Sequence, residues 1–169
     1  KGKIVAWFQG KLEFGPRALG NRSIIADPRN PQMKEILNKR VKFREEFRPF
    51  APSVLAEYAK EYFELSVPSP FMSFVSNVKL KKREQVPAIT HVDGTARVQT
   101  VQFDQNPLYY QMIKDFLGIT GIPMVLNTSL NIRGMPICNS PEDALNCLLR
   151  SGIDCLVIGN YYVWKTEND

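Results

Sequence analysis

The sequence has few of the side chains that serve as nucleophiles or metal ligands. It contains one histidine, His91, and three cysteines, Cys138, Cys147 and Cys155, which form no C-x-x-C pair. These numbers argue against a zinc site, a disulfide framework and a Ser-His-Asp or Cys-His nucleophile arrangement. We therefore predict no metal site in this chain, buried inert cysteines in a reducing compartment, and a solvated loop histidine.

Long apolar runs are also missing. A charged or amide side chain interrupts each hydrophobic segment well before the ~20 residues of a membrane span, so no membrane segment is predicted. A chain of 169 residues with 44% hydrophobic and 23% charged residues is typical of one globular domain. Because no initiator methionine, signal peptide or transit segment precedes the first apolar run, we expect residues 1–169 to be a cytoplasmic domain cut from a longer protein.

The hydrophobic pattern predicts helices mixed with short strands. Strand or extended segments are predicted over residues 4–8, 23–26, 49–55, 71–78, 96–101, 123–127, 155–159 and 161–164. Helices are predicted over 32–42 with Asn30 as the cap, over 56–63, from 107 to a stop at Gly118, and from 141 to Gly152 with Ser140 as the cap. This mixture predicts an α/β (α+β) fold with a mixed sheet.

The first segment that could bind a ligand is the glycine-rich run 15–23, which carries Arg17 and Arg22. Its glycines allow close approach of the backbone to a ligand, and its arginines supply forked donors for phosphate or carboxylate. It matches neither the P-loop pattern nor the dinucleotide fingerprint. A turn with two surface arginines is an equally good interpretation of this run alone.

A second segment, 38–50, interleaves three phenylalanines with cations. If the aromatic rings pack against the body of the domain, they hold Lys42, Arg44 and Arg48 in defined directions, with Glu45 or Glu46 near enough to orient one of them. The alternative is a solvated charged face.

The third candidate is Arg97, in the middle of an alternating strand with Thr95 and Gln99 on the same side. A buried arginine needs a partner, because an unpaired buried charge costs several kcal/mol. That partner is either a glutamate of segment 38–50, which is a structural role, or a ligand phosphate.

The fourth candidate follows a predicted strand. Asn127, Ser129 and Asn131 alternate as in an extended segment, and Arg133 comes directly after them. Amide and hydroxyl donors beside an arginine suit a phosphate, a ribose or a carbonyl group. Turns that cap the end of the strand are the alternative. Together, the four segments favour phosphate handling by positioning and charge neutralisation, which needs no protein nucleophile.

Several long motifs in order make a specific resemblance. They are Glu13–Ser23 followed by Ala26–Arg29, Asn38–Lys39 through Phe50–Ser53, Arg97–Gln99, and Leu126–Asn131. With these motifs the sequence resembles the C-terminal domain of the NodU/CmcH-type carbamoyltransferases over nearly its whole length, and no motif departs from the pattern.

The resemblance implies a YrdC-like fold, a twisted mixed sheet with flanking helices and a concave basic face. It implies that ATP, with Mg²⁺ as counter-ion, and carbamoyl phosphate are partners and yield a carbamoyladenylate. The carbamoyl group would pass to a hydroxyl acceptor in an upstream Kae1-like domain, which would also hold iron. That upstream domain lies outside this chain.

The resemblance also implies roles for individual residues. Lys42, Arg48 and Arg97 would be catalytic and, with Arg17, would bind phosphates. Asn127, Ser129, Asn131 and Arg133 would line the adenylate pocket.

Other functions remain open from the sequence. The net charge of +5 and pI of about 9.2 would also suit an RNA-binding module, although nucleic acid is the less favoured partner. A non-catalytic domain that docks the upstream half is the third interpretation. A homodimer is also left open.

Overall fold

The computed structural model describes residues 2–165, and its framework is one open sheet of eight strands. The strands are β1 (Val5–Phe8), β2 (Arg22–Ala26), β3 (Ala51–Leu55), β4 (Phe74–Asn77), β5 (Thr95–Val101), β6 (Met124–Ser129), β7 (Cys155–Ile158) and β8 (Tyr161–Trp164). They lie in the order β4-β5-β3-β6-β2-β1-β7-β8. The β3–β5 and β1–β7 pairs are parallel and the other neighbours are antiparallel. The predicted α+β class with a mixed sheet is confirmed.

Four α-helices accompany this sheet in the described residues. They are α1 (Met33–Leu37), α2 (Ala59–Tyr62), α3 (Pro107–Thr120) and α4 (Pro141–Leu149). A π-helical turn, Asn38–Lys42, continues α1 directly, and 3-10 turns occupy Ala56–Tyr58, Leu80–Gln85 and Pro87–Ile89.

The core lies on both faces of the sheet because successive strand residues point to opposite sides. On β1, Ala6 and Phe8 join the larger cluster, beneath α1 and α4, whereas Trp7 joins the smaller one beneath α3. Tyr109 and Ile113 are the fully buried residues that α3 contributes. Helices therefore cover both faces of the sheet. The candidate site is formed by loops and strand ends that these helices leave uncovered.

Three details of the sequence prediction were wrong. Helix α3 passes through Gly118 and ends at Gly121, whose φ of +75° suits glycine. The predicted helix 32–42 begins only at Met33 and turns π-helical after Leu37, although the side chain of Asn30 accepts from the Gln32 N–H at 2.9 Å. The strand predicted over 71–78 is confined to β4, because Met72 adopts a φ of +56°.

The three cysteines are buried and form no disulfide, as predicted. Within residues 2–165, the helices are too short and too polar to cross a bilayer.

Candidate functional site: a cationic cleft

The loops 13–22 and 43–50 and the ends of β5 and β6 enclose a cleft with two adjoining lobes, each of about 400 Å³. This volume is within the ~300–1,000 Å³ typical of small-molecule sites. The first lobe has a partly apolar wall that includes Phe50, Met72 and Val75, whereas the second lobe is polar and reaches Gly134. Both lobes share Arg17, Arg44, Arg48 and Ser129.

Arg97 lines the first lobe beside Val75, because β5 pairs with β4 and places these two residues opposite each other. It is half-buried, and its Nε is buried without a hydrogen-bond partner in the described residues. Burial lowers the pKa of Arg97, and the positive charge of Arg17 lowers it further. The alternative of a glutamate partner from segment 38–50 is wrong for residues 2–165, since Arg97 forms no ion pair there. The Nε of Arg97 is therefore a donor without an acceptor among residues 2–165.

Lys42 ends the π-helical turn and is only 5% exposed, on the floor of the second lobe. Its Nζ donates to the backbone oxygens of Ser129 (2.5 Å) and Asn131 (2.9 Å) and to Oδ1 of Asn131 (2.8 Å). Burial, followed by repulsion from Arg44, lowers its pKa to about 7. The ammonium therefore holds the end of β6 in place and puts positive charge beneath the lobe.

Arg44 lines the wall of both lobes. The sequence pattern includes it among the cations of segment 38–50 but predicts no role in binding for it. Its Nε donates to Oδ1 of Asn38 at 2.7 Å, and its guanidinium carbon lies 4.8 Å from the centre of the Phe50 ring. Burial, with repulsion from Arg48, lowers its pKa to about 10. The interleaved aromatics of segment 38–50 were the signal that could have identified it, because they fix which cation turns inward.

Three predicted arginines line the rim and are exposed: Arg17, Arg48 and Arg133. Nη1 of Arg48 lies 4.0 Å from Oε2 of Glu45, and Nη1 of Arg133 lies 3.4 Å from the Phe43 carbonyl. Such long contacts fix a side chain only weakly. These guanidiniums can therefore turn toward a ligand.

Asn127 is buried at the back of the first lobe. Its Nδ2 lies within hydrogen-bonding distance of the Ala18 carbonyl (3.0 Å), Ser53 Oγ (2.9 Å) and Gln99 Oε1 (3.1 Å). Its Oδ1 is buried and has no partner in the part of the chain that the structure describes. Asn127 thus fastens the loop 13–22 to the sheet and keeps one unused acceptor.

Ser129 and Asn131 form the joint between the lobes. The Ser129 hydroxyl donates to Oδ1 of Asn131 at 2.7 Å, and Nδ2 of Asn131 donates to the Met135 carbonyl at 2.9 Å. Ser129 lines both lobes and Asn131 only the second. The turn interpretation of this segment and its place in a ligand cleft are therefore compatible.

His91 is not the solvated loop residue that the sequence predicted. It is half-buried in the wall of the first lobe, with Nδ1 3.2 Å from Thr95 Oγ1. Burial lowers its pKa, and a hydrogen bond with the backbone of Phe50 opposes that shift. The turn at Gly94 folds the loop back onto the cleft, a long-range packing that local sequence does not reveal.

Positive charge dominates the lining. The cations that line one or both lobes are Arg17, Lys42, Arg44, Arg48, Arg97 and Arg133. Glu45 is the one carboxylate among the described lining residues. Such an imbalance is stabilised by a polyanionic ligand, and fixed guanidiniums can offset the negative charge that develops on phosphoryl oxygens during a reaction.

Comparison with known proteins identifies one family over almost the whole chain. The family described as Carbamoyltransferase C-terminus matches residues 1–165. The chain is 49% identical to an uncharacterized protein of Synechocystis sp., over 98% of this chain and 30% of that protein. It is 50% identical to the nodulation protein NolNO of Sinorhizobium fredii, over 97% of this chain and 25% of that protein.

A nodulation protein U of Rhizobium tropici is 42% identical over 78% of this chain and 23% of its own length. The chain therefore spans between 23% and 30% of the length of these relatives. The family match covers residues 1–165, and the relatives named above share 42–50% of their aligned residues with this chain. The ordered motifs of the sequence agree with both findings. The chain belongs to the carbamoyltransferase C-terminus family.

Proposed function

We propose that this chain is the part of an ATP-dependent O-carbamoyltransferase that binds ATP and carbamoyl phosphate and forms a carbamoyladenylate. The observation that carries the proposal is Arg97, a half-buried arginine that lines the first lobe among further cations and has no ion-pair partner within residues 2–165. A cation in this environment is stabilised by a phosphate more than by water. Membership of the family supplies the carbamoyl chemistry.

The two lobes suggest how the nucleotide is oriented. The first lobe offers Phe50 and Met72 as an apolar surface for the adenine. The second lobe offers Arg133 for phosphates. The positive charge of buried Lys42 lies beneath them, while its Nζ donates to Ser129 and Asn131. Arg17, Arg44 and Arg48 stand between the lobes, where the α-phosphate and the carbamoyl-bearing group would meet.

In the proposed sequence, water first cleaves carbamoyl phosphate to carbamate and inorganic phosphate. A carbamate oxygen then attacks the α-phosphorus of ATP, the bond to the β-phosphate oxygen breaks, and pyrophosphate leaves. The protein supplies donors and no nucleophile. Each charge-assisted hydrogen bond contributes about 1.5–3 kcal/mol net. If such a bond forms fully only in the transition state, it changes the rate by roughly 10- to 100-fold, at about 1.36 kcal/mol per decade.

In this proposal, the residues of this chain do not bind a metal ion directly. Residues 2–165 contain no group of three or more His, Cys, Asp or Glu side chains that could hold a metal ion. We propose that Mg²⁺ arrives as the counter-ion of ATP. Iron, the hydroxyl acceptor and the final transfer are proposed for an upstream Kae1-like domain.

The test is binding followed by turnover. Titration calorimetry of the chain with ATP should show saturable binding that Arg97→Ala weakens by about tenfold or more. Addition of carbamoyl phosphate should then make pyrophosphate release depend on both substrates. A matched control is Arg29→Ala, because Arg29 is tied to Asp27 at 2.6 Å and lines neither lobe.

Two outcomes would overturn the proposal. A folded chain that fails to bind ATP but binds RNA with a steep salt dependence is a nucleic-acid module. A chain that binds ATP but gives no carbamoyl-dependent turnover, even after the upstream domain is supplied, is a docking domain.

A further inference from the structure

The loop 13–22 carries Arg17 to the rim of the cleft, and its two halves differ in how they are held. Residues 14–17 are exposed. By contrast, Ala18, Gly20 and Arg22 are buried. The orientation of Arg17 therefore depends on what fixes the buried half directly after it.

Glu13 begins the loop and binds its end. Oε1 of Glu13 accepts from the backbone N–H groups of Leu19 (2.8 Å), Asn21 (2.6 Å) and Arg22 (3.3 Å). One carboxylate oxygen thus joins both ends of the loop, with Arg17 between them. Neither lobe of the cleft is lined by Glu13, so it does not reach a ligand there.

Side chains of the sheet hold the same residues from the other side. The carbonyl of Leu19 accepts from Gln99 Nε2 at 2.8 Å, and the carbonyl of Gly20 accepts from Trp7 Nε1 at 2.8 Å. A Cβ at Gly20 would lie 2.3 Å from the Tyr109 ring, so the backbone sits directly on α3. The sheet side chains therefore bind the carbonyl groups of this segment, and Glu13 binds its N–H groups.

We infer that Glu13 is a positioning residue for Arg17, acting through the loop backbone and not through its own charge. The inference rests on the proposed nucleotide site. Only Oε1 makes the three contacts, whereas Oε2 is buried and has no partner among residues 2–165. An amide of the same length therefore retains the acceptor, and a carboxylate one methylene shorter does not reach all three N–H groups.

Two variants separate reach from charge. Glu13→Gln keeps the reach and loses the charge, and should weaken ATP binding by less than about threefold. Glu13→Asp keeps the charge and loses the reach, and should weaken it by about tenfold, which corresponds to ~1.4 kcal/mol. The reverse order, with Gln more damaging than Asp, would show that the charge matters and would overturn the inference.

A double-mutant cycle tests whether the effect passes through Arg17. Arg17→Ala alone should weaken ATP binding about tenfold, and Glu13→Asp in that background should add less than about twofold. Effects that multiply to roughly 100-fold would mean that Glu13 supports the site without Arg17, and the inference would fail.

Hydrogen exchange supplies a readout that does not depend on the nucleotide. In Glu13→Asp the amides of Leu19 and Asn21 should exchange about tenfold faster, while those of β1 keep their rate. If the wild-type chain does not bind ATP, the proposed function fails and exchange alone decides the inference. Unchanged exchange at Leu19 and Asn21 would then overturn it, and equal acceleration in β1 would show general destabilisation instead.

Discussion

The buried residues at the floor and back of the cleft, here together called the floor, differ from the exposed arginines of the rim in where their hydrogen-bond donors go. On the floor, Lys42 and Asn127 are buried and spend their donors on the chain itself. On the rim, Arg17, Arg48 and Arg133 are exposed and make no short contact with an acidic residue in the part of the chain that the structure describes. The floor therefore ties ligand binding to the stability of the fold, and the rim adds affinity with little effect on stability.

Arg97 breaks this division, because it is half-buried like the floor and unpaired like the rim. Arg97→Met should weaken ATP binding by up to about 100-fold, since a charge-assisted contact is lost. Removing an unpaired, partly buried cation should leave the unfolding midpoint unchanged or higher. Calorimetry and thermal melting measure the two effects. A lower midpoint together with intact binding would place Arg97 among purely structural residues.

Asn127→Ala should act mainly on stability. The change leaves the carbonyl of Ala18 and the hydroxyl of Ser53 without a donor, at a cost of about 2 kcal/mol in the free energy of unfolding. Urea denaturation should show that loss, whereas Asn146→Ala on the exposed side of α4 should stay within ~0.5 kcal/mol. Equal losses in both variants would mean that the buried hydrogen bonds of Asn127 add nothing specific to stability.

Lys42 should give the floor a pH dependence. Its pKa of about 7 lies below the value of 10.5 for an unfolded lysine. Between these values the unfolded chain binds the extra proton, so this residue makes the free energy of unfolding rise with pH, by at most about 1.4 kcal/mol per unit. Below pH 7 both states are protonated and the contribution is flat.

The affinity for ATP should change with pH in the opposite direction to the free energy of unfolding. Because phosphates favour the charged form of Lys42, ATP affinity should fall above pH 7 by up to about tenfold per unit. Titrations in buffers of different ionisation enthalpy should show uptake of a proton on binding at pH 8. Lys42→Met should lose both trends, and a variant that keeps the two slopes would mean that another group is titrating.

The smallest effects belong to the rim. Arg48→Ala and Arg133→Ala should each weaken ATP binding about three- to tenfold and leave stability within ~0.5 kcal/mol. Because both groups are exposed, the losses should shrink as salt rises from 0.05 to 0.5 M, by the usual screening. Losses that do not depend on salt would assign these arginines to the floor.

Much of the fold could be predicted because its signals are local. Alternation in 96–101, the proline and cap before α3, and the Ser140–Asp143 capping box act within a few residues. The errors arose where a distant contact decided the outcome. Gly118 is the exception, since nothing lies within 4 Å of the position of its Cβ: α3 continues through it, and Gly121, three residues later, takes the left-handed turn.

The candidate site divides in the same way. Arginine-rich motifs pointed to Arg17, Arg48 and Arg97, and the structure places all of them at one cleft. The interleaved aromatics of segment 38–50 indicate that some of its cations turn inward but not how Arg44 packs, and nothing local shows that His91 turns inward. Their places depend on Phe50 and on the turn at Gly94, which the sheet brings to the same side.

The sequence by itself determined the composition of the site: many arginines, one histidine, hydroxyl and amide donors, and glycine at the turns. Residue type sets charge and hydrogen-bonding capacity, and neither needs a fold. Only the tertiary structure decided which of these groups face one another. Long-range pairing of β5 with β4 and of β6 with β2 and β3 brings Arg97, Lys42 and Arg17 together, and burial then determines which donors the protein uses itself and which remain for a ligand.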